Sequence, residues 1–142
     1  VTKLPMLSNY DRFEFIIDDS RLMAKISSTL KHSGHRQTHF EEVKSQLNAM
    51  IHILALVPCP PLKISFLNRS DVIELVRTSD LKSGAKINAE IDKAFCAPPK
   101  GQTAVYKKLV DTLNETKQNS KIALYFFGGS APTDQKYQID HK

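Results

Sequence analysis

The sequence predicts an α/β fold: a Rossmann-like, three-layer α/β/α arrangement around a mainly parallel sheet. Three observations lead there. Short apolar runs at residues 13–17, 62–68 and 122–127 read as strands. Between them, apolar residues recur at helical spacing after residues 38, 86 and 104. The two patterns alternate along the chain, as they do when parallel strands are joined by right-handed crossovers. A chain of 142 residues is one domain's worth and buries one sizeable core.

Taken in order, residues 1–9 read as an extended arm, with Pro5 breaking any helix, and residues 10–142 as the domain. Residues 13–17 (FEFII) form a buried strand that ends abruptly at Asp18-Asp19. Residues 24–38 are polar and contain glycine, which predicts a long loop, with one helical turn as an alternative, and mobility over 21–37. Phe40, Val43, Leu47, Met50, Ile51 and Leu54 then stripe a helix. Thr38 is its expected N-cap, and Glu41 completes a capping box. Pro58, Pro60 and Pro61 stop it.

A second strand follows at 62–68, and residues 72–76 form a short third strand or turn. Ile87, Ile91, Ala94 and Phe95 mark the next helix, residues 98–103 a loop, and Val105, Leu109, Val110 and Leu113 another helix. Residues 122–127 are the most apolar strand, ended by Gly128-Gly129. The expected core is Phe15, Ile17, Leu47, Ile64, Phe66, Leu109 and Leu124.

A hydrophobic content of 41% with 25% charged residues excludes wholesale disorder. No apolar stretch is long enough for a membrane span, and no signal-peptide pattern is present. The start at Val1 leads to the expectation of a trimmed piece. Cys59 and Cys96 make neither a disulfide framework nor a CxxC pair, which favours an intracellular, cytoplasmic setting. The sequons Asn68-Arg69-Ser70 and Asn114-Glu115-Thr116 matter only in a secreted protein.

The net charge is +5, and Arg21, Lys25, Lys31 and Arg36 stand between residues 21 and 37 without an acid. Such a patch attracts acidic protein, anionic lipid or nucleic acid; a solvated polar loop has the same composition.

The run at residues 15–23 (FIIDDSRLM) resembles the opening strand and loop of the von Willebrand factor A domain family, an apolar strand followed by Asp-x-Ser-x-Ser. The helix from Thr38 is similar to that family's first helix, and residues 64–68 (ISFLN) to its second strand. Residues 98–103 (PPKGQT) resemble its Pro-x-Gly-Gly-Thr loop, and residues 124–132 the strand that ends Thr-Asp-Gly-x-Pro. The match runs from about Tyr10 to Asp134. It implies a metal-ion-dependent adhesion site, where loops at the carboxyl ends of the strands give Mg²⁺ its oxygens and a partner carboxylate completes the shell. The family fold continues beyond its Thr-Asp-Gly strand, so the expectation is either that the remainder lies beyond this piece or that the sheet is shortened and its open edge needs cover.

Carried over, Asp18, Ser20 and Thr103 keep ligand chemistry. Leu22 stands where the second serine belongs, and Gly128 where the second aspartate belongs. Neither offers a side-chain oxygen, and Arg21 puts a cation beside them, near Asp18 in the expected arrangement. Asp19 or Asp134 is a substitute oxygen. The resemblance therefore implies an impaired metal site, and no cofactor is expected.

Other chemistry is thin. His32, His35 and His39 have zinc-like spacing without a fourth ligand. Neither cysteine has a legible base, and buried inert thiols are the commoner case. Gly128-Gly129 lacks the Lys-Ser/Thr of a phosphate loop. Asp18 and Asp19 point to opposite sides of an extended chain, so they do not flank one bond. These readings lead to a non-catalytic protein-interaction module. Its contact rim is expected at 18–37, 98–103 and 128–133, with Asp19, Arg21, Lys25, Lys31, Arg36, Lys100, Gln102 and Ser130 meeting an acidic partner. The alternatives are a Mg²⁺-dependent adhesion or ligand-binding domain, and an electrostatic binder of nucleic acid or anionic membrane.

Overall fold

The computed structural model describes residues 10–30, 34–56, 60–75 and 84–128. Among these residues, six strands and three helices follow one another: β1 (Arg12–Ile17), β2 (Ile26–Leu30), β3 (Arg36–Thr38), α1 (His39–Leu54), β4 (Leu62–Phe66), β5 (Val72–Leu75), α2 (Gly84–Cys96), α3 (Val105–Glu115) and β6 (Ile122–Phe127). A single 3₁₀ turn, Arg21–Ala24, follows β1. The expected arm at 1–9 and the stretch from residue 129 onward lie outside the described residues. Among the described residues, no helix is long and apolar enough to cross a membrane.

Four strands make one sheet in the order β5-β4-β1-β6. β1 pairs in parallel with β4 on one side and β6 on the other. β4 pairs antiparallel with β5, so the sheet is mostly parallel with one reversed edge. Alternation then sorts the side chains by face. Phe13, Phe15 and Ile17 stand beside Leu62, Ile64 and Phe66, and these beside Ile73 and Leu75. This face is buried against α1 (Phe40, Val43, Leu47, Ile51, Leu54) and α2 (Ile87, Ile91, Ala94). The opposite face carries buried Glu14, Ile16 and Ser65, with Arg12 Nη2 2.6 Å from Glu14 Oε1. Lys63, on that side, reaches Glu115 of α3 at 3.4 Å.

The start of α1 follows from its own sequence. Thr38 Oγ1 accepts from the Glu41 N–H at 3.1 Å, and Glu41 Oε1 accepts from the Thr38 N–H at 3.2 Å, so the expected capping box is present.

Residues 24–38 depart from expectation. In place of a long loop, β2 and β3 pair antiparallel as a separate two-stranded sheet. Contacts with α1 fasten it: the His39 N–H donates to the Lys25 carbonyl at 2.9 Å, and the Ser27 hydroxyl donates to Glu42. A polar segment thus satisfies its backbone through a partner strand, which composition alone does not reveal.

Two expected core positions are also corrected. Leu109 and Leu124 are half-buried, whereas Phe15, Ile17, Leu47, Ile64 and Phe66 are buried. β6 has a strand on one side only among the described residues, and Tyr125 and Phe126 are exposed. On α3 the buried position is Thr112, while Val110 and Leu113 face solvent. The face α3 approaches carries Glu14 and Lys63, so its partner surface is part polar.

Candidate functional site

Strand order locates the site. β4 and β6 flank β1: the chain passes from β1 to β4 on one side, and later returns from β5 through α2 and α3 to β6 on the other. In open α/β sheets that reversal opens a crevice at the carboxyl ends of the strands, where ligands bind. The residues at this end of β1 are Asp18, Asp19 and Ser20, and all three are buried.

Asp18 faces β6. Its N–H donates to the Phe127 carbonyl at 2.9 Å, which extends the parallel ladder one residue past β1. Its Oδ1 accepts from the Ser20 N–H at 2.9 Å, a side-chain turn that aspartate favours. A Cβ at Gly128 would stand 2.5 Å from the Asp18 Cβ and 2.9 Å from the Phe126 ring. Glycine is therefore required there by the close approach of Asp18. Asp18 Oδ2 and Ser20 Oγ are buried without a hydrogen-bond partner among the described residues.

Asp19 faces β4. Its Oδ1 accepts from the Asn68 N–H at 2.9 Å and from Asn68 Nδ2 at 3.1 Å; its Oδ2 accepts from Arg69 Nε at 3.0 Å. The Asp19 carbonyl accepts from the Lys100 N–H at 2.8 Å, and the Arg21 N–H donates to the Gly101 carbonyl at 2.9 Å. Asn68 Nδ2 also reaches the Gln102 carbonyl at 2.8 Å. Gly101 has φ +101°, and a Cβ there would meet Asn68 Cγ at 2.6 Å. One buried aspartate thus ties together the loops after β1, after β4 and before α3.

Arg69 is the residue that sequence reasoning missed. Its guanidinium donates to the carbonyls of Ala94, Ala97 (3.2 Å) and Pro98 (3.4 Å), closing the carboxyl end of α2. It also lies over the Phe66 ring at 5.0 Å and the Phe40 ring at 5.5 Å. The cation expected near Asp18 was Arg21, but Arg21 is exposed, and the ion pair at this rim joins Arg69 to Asp19. The one sequence signal was that two adjacent buried acids need a countercharge; nothing local marked Arg69 as its source.

The remaining expected contact residues fall as follows. Thr103 is buried, while Lys100 and Gln102 are exposed in the same loop. Lys25 and Arg36 are exposed at the starts of β2 and β3. Leu22 is 38% exposed on the 3₁₀ turn. Lys31, Ser130 and Asp134 lie outside the described residues, as do His32 and Cys59. His35 and His39 are exposed. Cys96 is exposed rather than buried, because it ends α2 on the side away from the core.

For Mg²⁺ the donors at this rim are Asp18 Oδ2, Ser20 Oγ and the Thr103 hydroxyl, which together carry one negative charge. Asp19 does not add to them, since both its oxygens already bind Asn68 and Arg69. Mg²⁺ asks for near-octahedral oxygens and sheds water reluctantly, so this set is an incomplete fit. No protein-family model matches the chain, and no curated protein matches it either.

Proposed function

We propose that this chain is a non-catalytic protein-interaction module of the von Willebrand factor A type, with three α/β/α layers and an impaired metal site. It meets its partner through the loops at the carboxyl ends of β1, β4 and β6. The observation that carries this reading is the Asp19 latch, which holds three loops in one arrangement at the sheet's switch point. Loops ordered in advance lose less entropy on binding, and a fixed rim suits recognition of a folded surface. Arg21 and Lys100 are exposed on the tied loops beside exposed Gln102, and Lys25 and Arg36 are exposed at the starts of β2 and β3; these four cations fit an acidic partner. An intracellular setting is in keeping with the use of just two cysteines.

The test is affinity capture with the whole chain, beside a rim variant carrying Arg21→Glu and Lys100→Glu. A partner retained by the parent chain in the presence of EDTA, and lost by the variant, supports the reading. A partner held equally by both overturns it. Release by modest salt together with competition by any polyanion favours nonspecific electrostatic binding to nucleic acid or membrane.

A second reading has its own support. The unpartnered oxygens of buried Asp18 and Ser20 suit a cation whose shell a partner carboxylate completes. In that case capture fails in EDTA and returns with Mg²⁺.

A further inference from the structure

We propose that the groove between β5 and α2 is a second docking site, taking an extended segment of a partner protein as an added strand along β5. Three observations converge on it. β5 closes one end of the sheet order, so among the described residues its outer edge has no strand beside it. Alternate N–H and C=O groups on such an edge are a template for a further strand. Beside that edge lies a cavity of about 270 Å³ lined by Asp71, Val72, Ile73, Glu90, Lys93 and Ala94. Its volume falls just below that of ligand sites, which run from about 300 to 1,000 Å³, so it suits one or two side chains rather than a whole cofactor.

The lining chooses the occupant. Ile73 and Ala94 are buried and form an apolar floor, and Val72 is 47% exposed beside them. Asp71, Glu90 and Lys93 are exposed, and none of them makes an ion pair among the described residues. The next acid on α2, Asp92, is already held by Lys44 of α1 at 2.7 Å. The groove therefore presents two unpaired carboxylates and one unpaired ammonium. On a helix, positions three apart are neighbours about 5–6 Å from each other. Along a strand, side chains two apart share a face at a separation of roughly 6.6 Å. A segment with a basic residue and an acidic residue two positions on then sets its cation by Glu90 and Asp71 and its anion by Lys93. Apolar residues between and around them point to the opposite face and lie beside Val72, while the aliphatic stem of the basic residue covers the floor.

The test is an NMR titration of the whole ¹⁵N-labelled chain with the blocked peptide Val-Lys-Val-Glu-Val, against Val-Glu-Val-Glu-Val as the control. Expected are saturable shifts confined to residues 71–75 and 90–94, absent with the all-acidic peptide. Glu90→Lys weakens the first peptide by roughly tenfold, as reversal of one close charge pair requires, with an unchanged Tm and unchanged capture at the rim. No binding, shifts elsewhere, equal binding of both peptides, or indifference to Glu90→Lys overturns the proposal. Sedimentation checks the remaining occupant: concentration-dependent dimers that Glu90→Lys dissociates would make the groove a contact between copies of this chain, and the proposal falls.

Discussion

Arg69 Nε donates to Asp19 Oδ2 at 3.0 Å, with the aspartate side chain 2% exposed and that of the arginine 14%. The same guanidinium closes α2 and lies over Phe66, so one ion pair joins the candidate rim to the core. Removing either partner leaves a buried charge without its counterpart. Arg69→Ala is expected to cost about 3–5 kcal/mol. Arg69→Lys should recover part of this, because lysine keeps the charge but not the fork of donors. Chemical denaturation of these variants, with Asp19→Asn in a double-mutant cycle, measures the coupling. A coupling near zero would mean the pair is incidental.

Gly128→Ala is expected to destabilise the fold by about 1–3 kcal/mol, since the added methyl enters the space of Asp18. Gly101→Ala should cost a similar ~1–3 kcal/mol for a different reason, its positive φ. The Gly101 variant also pushes on Asn68 and so loosens the latch. Thermal unfolding compares the two, and Tm values equal to the parent's would remove the close-approach argument.

The core should be uneven. Leu47→Ala, at a fully buried position, is expected to cost about 2–5 kcal/mol. Leu109→Ala, half-buried on α3, should stay near ~1 kcal/mol. Equal losses in urea titrations would contradict the burial described for α3.

Reversal of Arg21, Lys25 and Arg36 to glutamate is expected to slow association with the captured partner by roughly tenfold at low salt. Dissociation should change less, because these side chains are exposed and steer encounter more than they hold the complex. Stopped-flow mixing at two ionic strengths distinguishes the cases. A rate insensitive to the reversal would remove these cations from the contact surface.

Metal should be dispensable. Titration calorimetry is expected to show Mg²⁺ or Mn²⁺ binding no tighter than about 100 μM, which corresponds to roughly 5.5 kcal/mol. EDTA should leave Tm unchanged. Tighter binding that Asp18→Ala removes would establish the metal-dependent reading.

What the sequence determined by itself was whatever closes over a few residues. The α1 capping box spans three positions, the α1 stripe repeats within two turns, and β1 and β4 declare themselves by short apolar runs. The resemblance also brought Asp18, Thr103 and Gly128 to attention by order along the chain. Tertiary structure decided the rest, because those outcomes depend on neighbours distant in sequence. β2 and β3 are polar strands visible only through each other, and the exposure of Leu124 depends on what lies beyond β6. The Arg69–Asp19 pair spans fifty positions. It follows from the parallel register that sets Ile17 beside Phe66. Continued two residues past the strand ends, that register brings Asp19 level with Asn68 and next to Arg69. A local pattern carries no information about which strand will lie alongside, and burial turns that pairing into a strong constraint.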